Sequence, residues 1–540
     1  MKRAMFLLFL LLAAPLAAPA FAEASAGRQT PDEIIKEGRE KSQVMDHLDV
    51  LVNQIGPRLT SSDNLTKACE WTRDRFKGYG LDANIEQWGD FPVGFNRGPW
   101  SGLMIRPELR RLTFCTPSWT PGTDGPVTGE AIMSPTSEEE IDVAKLKGKW
   151  ILQENRPRRD LRKKLEAAFL EAGIAGVIHK NRAPLIVTSG NHRISFDNLP
   201  KLVTIDMMSE DFDAITAQIE AGKEPQLTIA IQNEFKKGPI PLYNVIADLK
   251  GTEKPDEYVV VGGHIDSWDG ARGCVDNGTG CATTIEAARI LTALGAKPKR
   301  TIRFMLWSGE EQGLLGSMAY VRKHRDEMEK YSACLVHDGG TNYVSGINAT
   351  EPMVPIFEKI FAPVLELDKE MPFKISATRS IAAMGASDHA SFIAGGVPGF
   401  FWNQNGRSNY TYAHHTQHDL IDMAVPEYQR HTAIVVAIAA LGIANLDEKL
   451  PRSGVGGGRE IPERRMLGVN LDGATVTGVV DESAADKAGL RDGDVLVELD
   501  GMKIEDTSSL RSAIDKAHKK CVLVITRDGQ RMELSVEFEK

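Results

Sequence analysis

The rhythm of apolar and polar residues changes several times along this chain, and each change marks a different kind of element. Between residues 31 and 90, in EIIKEGREKSQVMDHLDVLVNQIG and KACEWTRDRFKGYG, apolar positions recur every three or four residues, which predicts amphipathic helices. From about 118 to 236 the pattern shortens to GEAIMSP, KGKWILQEN, AGVIHK and KLVTIDM, read as short strands around one clear helix, LRKKLEAAFLEAG. This block is expected to be an inserted domain.

Beyond it, strand and helix alternate. YNVIADLKG, EYVVVGGHID, TIRFMLWS, SACLVHD and VPGFFWNQ are strand-like. TGCATTIEAARILTALG (closed by Gly295), GLLGSMAYVRKH and PEYQRHTAIVVAIAALGIANL are helical. Strands apolar on both faces and separated by helices predict an α/β fold with a mostly parallel sheet covered on both sides. Such sheets place their ligands at the carboxyl ends of the strands. PRSGVGGGREIPER then reads as a flexible linker, followed by MLGVNL, TVTGVV, VLVELDG and CVLVITRDGQRMELSVEFE, the short strands of a small separate domain. The expected organisation is a leader over 1–22, a main domain over 23–117 and 237–450, an insert over 118–236, a linker over 451–463 and a C-terminal domain over 464–540.

The leader follows from Lys2 and Arg3, an apolar stretch, and Ala20-Phe21-Ala22 as a small-residue cleavage site, the anatomy of a secretory signal peptide. Pro15 and Pro19 interrupt the apolar run, so cleavage is favoured over a membrane anchor, and no second spanning segment follows. The mature chain is therefore expected in the periplasm or outside the cell. A length of 540 residues, 42% of them apolar, supports two to four domains with ample core. The net charge of -10, with no long basic run, excludes a nucleic-acid partner. Six scattered cysteines do not make a disulfide framework, and one or two bridges remain open.

The candidate chemistry lies at the strand ends. His264 and Asp266 close VVVGGHID two residues apart, so both side chains point the same way, and Asp266 is placed to accept the second ring N–H of a ligating His264. Asp276 follows in GCVDNGTG, Glu310 and Glu311 after LWSG, Asp338 after SACLVH, and histidines cluster in YTYAHHTQHD. Each alone has an ordinary explanation. Together they would converge at one sheet edge, where unpaired carboxylates repel one another and bound cations remove the conflict. Mixed histidine and carboxylate ligands suit zinc, with manganese or cobalt as alternatives. Of two adjacent glutamates, one can ligate while its neighbour moves a proton.

HID, DNGTG, GEEQGLLGS, HDGG and HHTQHD resemble the co-catalytic di-zinc exopeptidase family that includes aminopeptidase Y and glutamate carboxypeptidase, over roughly 31–453. The resemblance implies two zinc ions per chain: Asp276 bridging both, His264 and Asp338 on one, Glu311 and His415 on the other, Glu310 as general base and Asp388 near the substrate. His415, before the threonine, matches the family ligand better than His414, and His418 matches none. A peptide or dipeptide is the implied substrate, with aminopeptidase or dipeptidase action preferred and carboxypeptidase action as the alternative. Two rivals share the architecture, a single-zinc glutaminyl cyclase and a receptor-like protein without catalysis. Retention of the full ligand set argues against the second. KGKWILQEN and AGIAGVIHK make the insert resemble a protease-associated domain. RRMLGVNL, SAADKAGLRDGDVLVELDGMKI and SSLRSAIDKA resemble a PDZ domain, which implies that Leu467, Gly468 and Val469 form a loop for a peptide or protein C-terminus. Cys274 and Cys281, which flank Asp276, are expected to be small packed thiols or a local disulfide rather than further ligands.

Overall fold

The computed structural model describes residues 30–155, 157–181, 185–383, 387–456, 467–479, 483–491 and 493–538. The predicted leader lies outside the described residues, as do 457–463 of the linker and 464–466 beyond it.

Four strands, Gly399–Phe401, Tyr331–Val336, Lys254–His264 and Arg300–Trp307, lie side by side in that order and run parallel. Their two-residue period sorts side chains between two cores. Val259, Val261, Phe304, Leu306, Ala333 and Leu335 face one core, shared with Ile285 and Ile290 of helix Thr279–Ala293 and with Val435 and Ile438 of helix Pro426–Ala444. Val260, Met305, Trp307, Cys334 and Val336 face the other, with Tyr320 and Phe392 from helices Leu315–Lys323 and His389–Ala394. Burying one such large apolar side chain contributes about 1.5–3 kcal/mol, which is why runs apolar on both faces settle only in a covered sheet. Gly262 is required by the closeness of the next strand, since a Cβ there would lie 2.3 Å from the Met305 carbonyl oxygen and 2.6 Å from the Trp307 ring.

The parallel arrangement ends at Arg300–Trp307. Gln226–Leu249 pairs with it antiparallel, and Asp82–Arg106 pairs antiparallel with Gln226–Leu249, so the sheet is mixed. Residues 82–90, expected to be helical, begin this long ribbon. Register shifts between Gln87/Gly89, Phe91/Val93, Arg97/Trp100 and Met104/Arg106 break the strand period, which hides the element from pattern reading. The ribbon carries the sheet outward to Val127–Met133, Trp150–Gln153, Gly176–Lys180 and Thr204–Met207. These strands have a core of their own around Trp150, Ile178, Ile205 and Phe212. Among the described residues three α-helices accompany them rather than one, the short Val143–Leu146, Arg159–Ala172 and Ser209–Glu220.

Residues 451–456 are docked rather than free. The Arg452 guanidinium donates to the carbonyls of Gly396, Met328 and Tyr331 at 2.7, 2.9 and 2.9 Å, and Ile381 N–H donates to Gly454 O at 2.8 Å. The C-terminal unit has strands Val469–Asp472, Thr475–Val479, Val495–Leu499, Lys520–Arg527 and Gln530–Glu537 in one antiparallel sheet. Leu496, Leu510, Leu523 and Ile525 form its separate core. All six cysteines are buried free thiols, so Cys274 and Cys281 form no bridge. Among the described residues no helix is long and apolar enough to cross a membrane.

Candidate active site

Each candidate ligand leaves the carboxyl edge of the parallel strands or a loop beside it. His264 ends Lys254–His264, Asp338 follows Tyr331–Val336, and Glu310 and Glu311 begin the turn after Arg300–Trp307. Asp276 precedes helix Thr279–Ala293, and its peptide bond to Asn277 is cis. His415 follows the short helix Tyr410–Ala413.

Asp276 joins two groups. Its Oδ1 lies 3.1 Å from His264 Nε2, which is also 3.1 Å from Asp338 Oδ1. Its Oδ2 lies 3.0 Å from His415 Nε2, which is 3.0 Å from Glu311 Oε2. His414 Nε2 stands farther from the same oxygen, at 3.6 Å, and its ring stacks on His415. His418 stacks on Tyr412.

The electrostatics match a cation site. Burial, reinforced by the Asp276 charge, pushes Glu311 up to about 8. Burial together with Asp338, Asp388 and Glu311 holds Glu310 well above the usual carboxylate range. Burial opposes charge on His415, yet hydrogen bonds to Asp276 and Glu311 push it up to about 10. Burial likewise opposes charge on His264, and the surrounding carboxylates, Asp338 foremost, raise it. Without a metal, protons must hold these carboxylates together. Glu311 Oε1 is buried with no hydrogen-bond partner, an oxygen left for a ligand the protein itself does not supply. His264, Asp276 and Asp338 can gather their ligand atoms around one ion. Oxygen and imidazole donors of this kind fit zinc.

Asp266 departs from its expected contact. His264 Nδ1 is 3.0 Å from the Asp266 backbone oxygen and 3.6 Å from the carboxylate. The carboxylate accepts instead from the backbone N–H groups of Glu310 and Glu311, both at 3.2 Å, and from Thr60 Oγ1 at 3.0 Å. It fixes the turn that presents both glutamates. Asp388 is fully buried and does not line the cavity, whereas its neighbour His389 does. Its backbone is already helical, at φ -57° and ψ -26°, where it precedes helix His389–Ala394. Leu467 is buried, Gly468 has φ 80°, and Val469 opens its strand.

Asp419 escaped sequence reading. It accepts from the backbone N–H groups of Val275 and, at 3.2 Å, Asp276, and so holds the loop bearing the shared aspartate. Its one sequence signal was its place at the end of HHTQHD. A cavity of about 830 Å³ opens over the cluster, lined by Glu310, Leu314, Ile381, Phe401, Tyr410 and His414 among others, a size that suits a short peptide.

A covered α/β sheet whose carboxyl edge gathers histidines and carboxylates around one shared aspartate defines the class of metal-dependent hydrolases. Residues 244–439 match the model of peptidase family M28, and residues 475–527 match that of the PDZ domain. Residues 244–439 thus form a domain of the peptidase family M28 type, and residues 475–527 one of the PDZ type. It is 28% identical over 433 residues to carboxypeptidase Q of Mus musculus, spanning 77% of this chain and 88% of that protein. It is 28% identical over 233 residues to a probable aminopeptidase of Saccharomyces cerevisiae, spanning 40% and 60%. A peptidase M28 precursor from Shewanella amazonensis shares the fold with a TM-score of 0.57 at 24% identity, covering 78% of this chain and 97% of that one. So does BSAP, a zinc aminopeptidase from Bacillus subtilis, with a TM-score of 0.51 at 19% identity, covering 77% and 97%.

Proposed function

We propose that this chain is an exported di-zinc exopeptidase that removes residues from the free end of short peptides or splits dipeptides. The observation that carries the reading is the division of Asp276, one oxygen toward His264 and Asp338 and the other toward His415 and Glu311. In this reading His264, Asp338 and Asp276 would hold one zinc, and Glu311, His415 and Asp276 the second. Bound there, zinc supplies Lewis acidity toward the scissile carbonyl and an acidified water.

The remaining work falls to the chain itself. Glu310 lines the cavity beside the ligands without pairing to either ligand histidine, and its raised proton affinity suits a group that takes a proton from water and returns it to the leaving amine. Asp266 keeps Glu310 in place through the backbone N–H it accepts. The apolar wall of Leu314, Ile381, Phe400 and Phe401 shields the reacting carbonyl from bulk water and seats an apolar side chain.

Amino-terminal or dipeptidase action is preferred. Among the described lining residues there is no lysine or arginine to clamp an α-carboxylate. Carboxypeptidase action is the second reading, favoured by the name of the relative from Mus musculus. The insert over 118–236, protease-associated in character, would shape the cleft, and the PDZ unit would capture a peptide C-terminus at 467–469.

Glu310→Gln should keep both metals yet lower turnover about 10²–10⁴-fold, the usual worth of general acid–base catalysis. Full activity in that variant would remove Glu310 from the reaction. Dipeptides blocked at either end, assayed with zinc, separate the two readings: loss on blocking the amine alone supports aminopeptidase action, loss on blocking the carboxylate alone carboxypeptidase action, and loss with either a dipeptidase.

A further inference from the structure

We propose that the inserted unit reaches into the metal centre and latches His415, with Thr188 as the positioning residue that holds this ligand in its metal-facing pose. The proposal rests on the binuclear reading above. It assigns the insert a part in building the site, beyond shaping the cleft.

His415 has φ 57°, a left-handed conformation that a non-glycine residue keeps only when its surroundings impose it. The imposing contacts come from the insert. Thr188 donates to the His415 carbonyl twice, from its backbone N–H at 2.7 Å and from Oγ1 at 3.1 Å. Ile186 N–H donates to Gln417 Oε1 at 2.8 Å, and Val187 forms an antiparallel bridge with Thr416. On the other side of this short segment, Ser118 N–H donates to Ser189 O at 2.7 Å, and Ser118 bridges Gly190. The segment 186–190 is thus stitched between residue 118 and the ligand loop.

Thr188 is also wedged from beneath. It is buried, and it packs so closely on Gly270 that a Cβ at that glycine would stand 1.8 Å from Thr188 Cγ2. The neighbouring Asp269 is itself fixed, by Arg97 at 2.9 Å and by Ser118 Oγ at 2.6 Å. The Trp268 ring meets His415 edge-on at 6.3 Å. The hydroxyl, the backbone N–H and the γ-methyl of Thr188 each have a defined neighbour. Moving the insert would therefore release the ligand half formed by Glu311 and His415 and leave the His264 and Asp338 half untouched.

The full-length chain tests this with Gly270→Ala and with the double variant Gly270→Ala/Thr188→Ser, which removes the γ-methyl that the new Cβ would strike. Zinc per chain is measured during dialysis against graded chelator, and amide hydrogen exchange is followed over 413–417. The single variant should release one zinc about 10–100-fold more readily, the usual cost of losing a group that orients a ligand, while retaining the other as the unaltered protein does. Exchange over 413–417 should rise, and the double variant should restore both. Unaltered zinc retention and exchange in Gly270→Ala would overturn the latch, as would failure of the double variant to restore either. If the unaltered chain binds only one zinc, the binuclear reading falls. The exchange readout then decides the latch alone, with a rise rescued by Thr188→Ser supporting it and no rise overturning it.

Discussion

His264 and Asp338 leave the ends of neighbouring parallel strands, whereas Glu311 sits in a turn and His415 in a loop braced by a segment far away in the chain. The two histidines differ in exposure, the His264 side chain being 1% accessible and that of His415 31%, while the side chains of Asp338 and Glu311 are both buried. A ligand at a strand end inherits its position from the hydrogen-bond ladder and from cores on both faces. A ligand in a loop must be positioned contact by contact, here by Asp266, Asp419 and Thr188. The first half is built by the fold, and the second depends on groups that never touch a metal.

Replacing each histidine breaks this comparison most directly. His415→Ala should lower zinc content from two per chain to one, with activity down at least ~10²-fold and thermal stability little changed, because the lost side chain is part-exposed and the contacts bracing the loop are to its backbone. His264→Ala should lower both metal content and melting temperature, since it opens a void in a buried site and leaves Asp338 without its imidazole. Metal analysis with calorimetry checks the pair, and equal stability losses would erase the contrast between the halves.

A smaller effect sharpens it. Asp419→Asn keeps the side-chain shape but loses one of the two acceptor oxygens that hold the Val275 and Asp276 N–H groups. Zinc affinity should fall about 10–100-fold with the metal count at saturation unchanged, as read by chelator competition. An effect confined to stability is expected for Thr60→Val, which removes one hydrogen bond to the buried Asp266 carboxylate. It should cost about 1.5–3 kcal/mol of stability in denaturant unfolding and leave zinc content intact.

Where the sequence was legible follows the same division. EYVVVGGHID and TIRFMLWS read as strands because period and burial agree, and ligands at their ends followed from the rule for parallel sheets. The ribbon strand Asp82–Arg106 was illegible because its register shifts and its glycines and prolines scramble the alternation. Ser209–Glu220 went unread as a helix beside the strand-like residues before it. Asp266 was found for its spacing, yet its carboxylate serves the glutamate turn, a long-range contact that no local period encodes. Asp419 and Thr188 act on backbone groups, and nothing in residue type marks such a partner.

The central claim is that one carboxylate serves both halves. Metal analysis of Asp276→Ala, purified and then equilibrated with zinc, tests it most directly. The account predicts fewer than two zinc ions per chain in a folded protein, with activity lost in parallel. Two tightly held ions in that variant would contradict it.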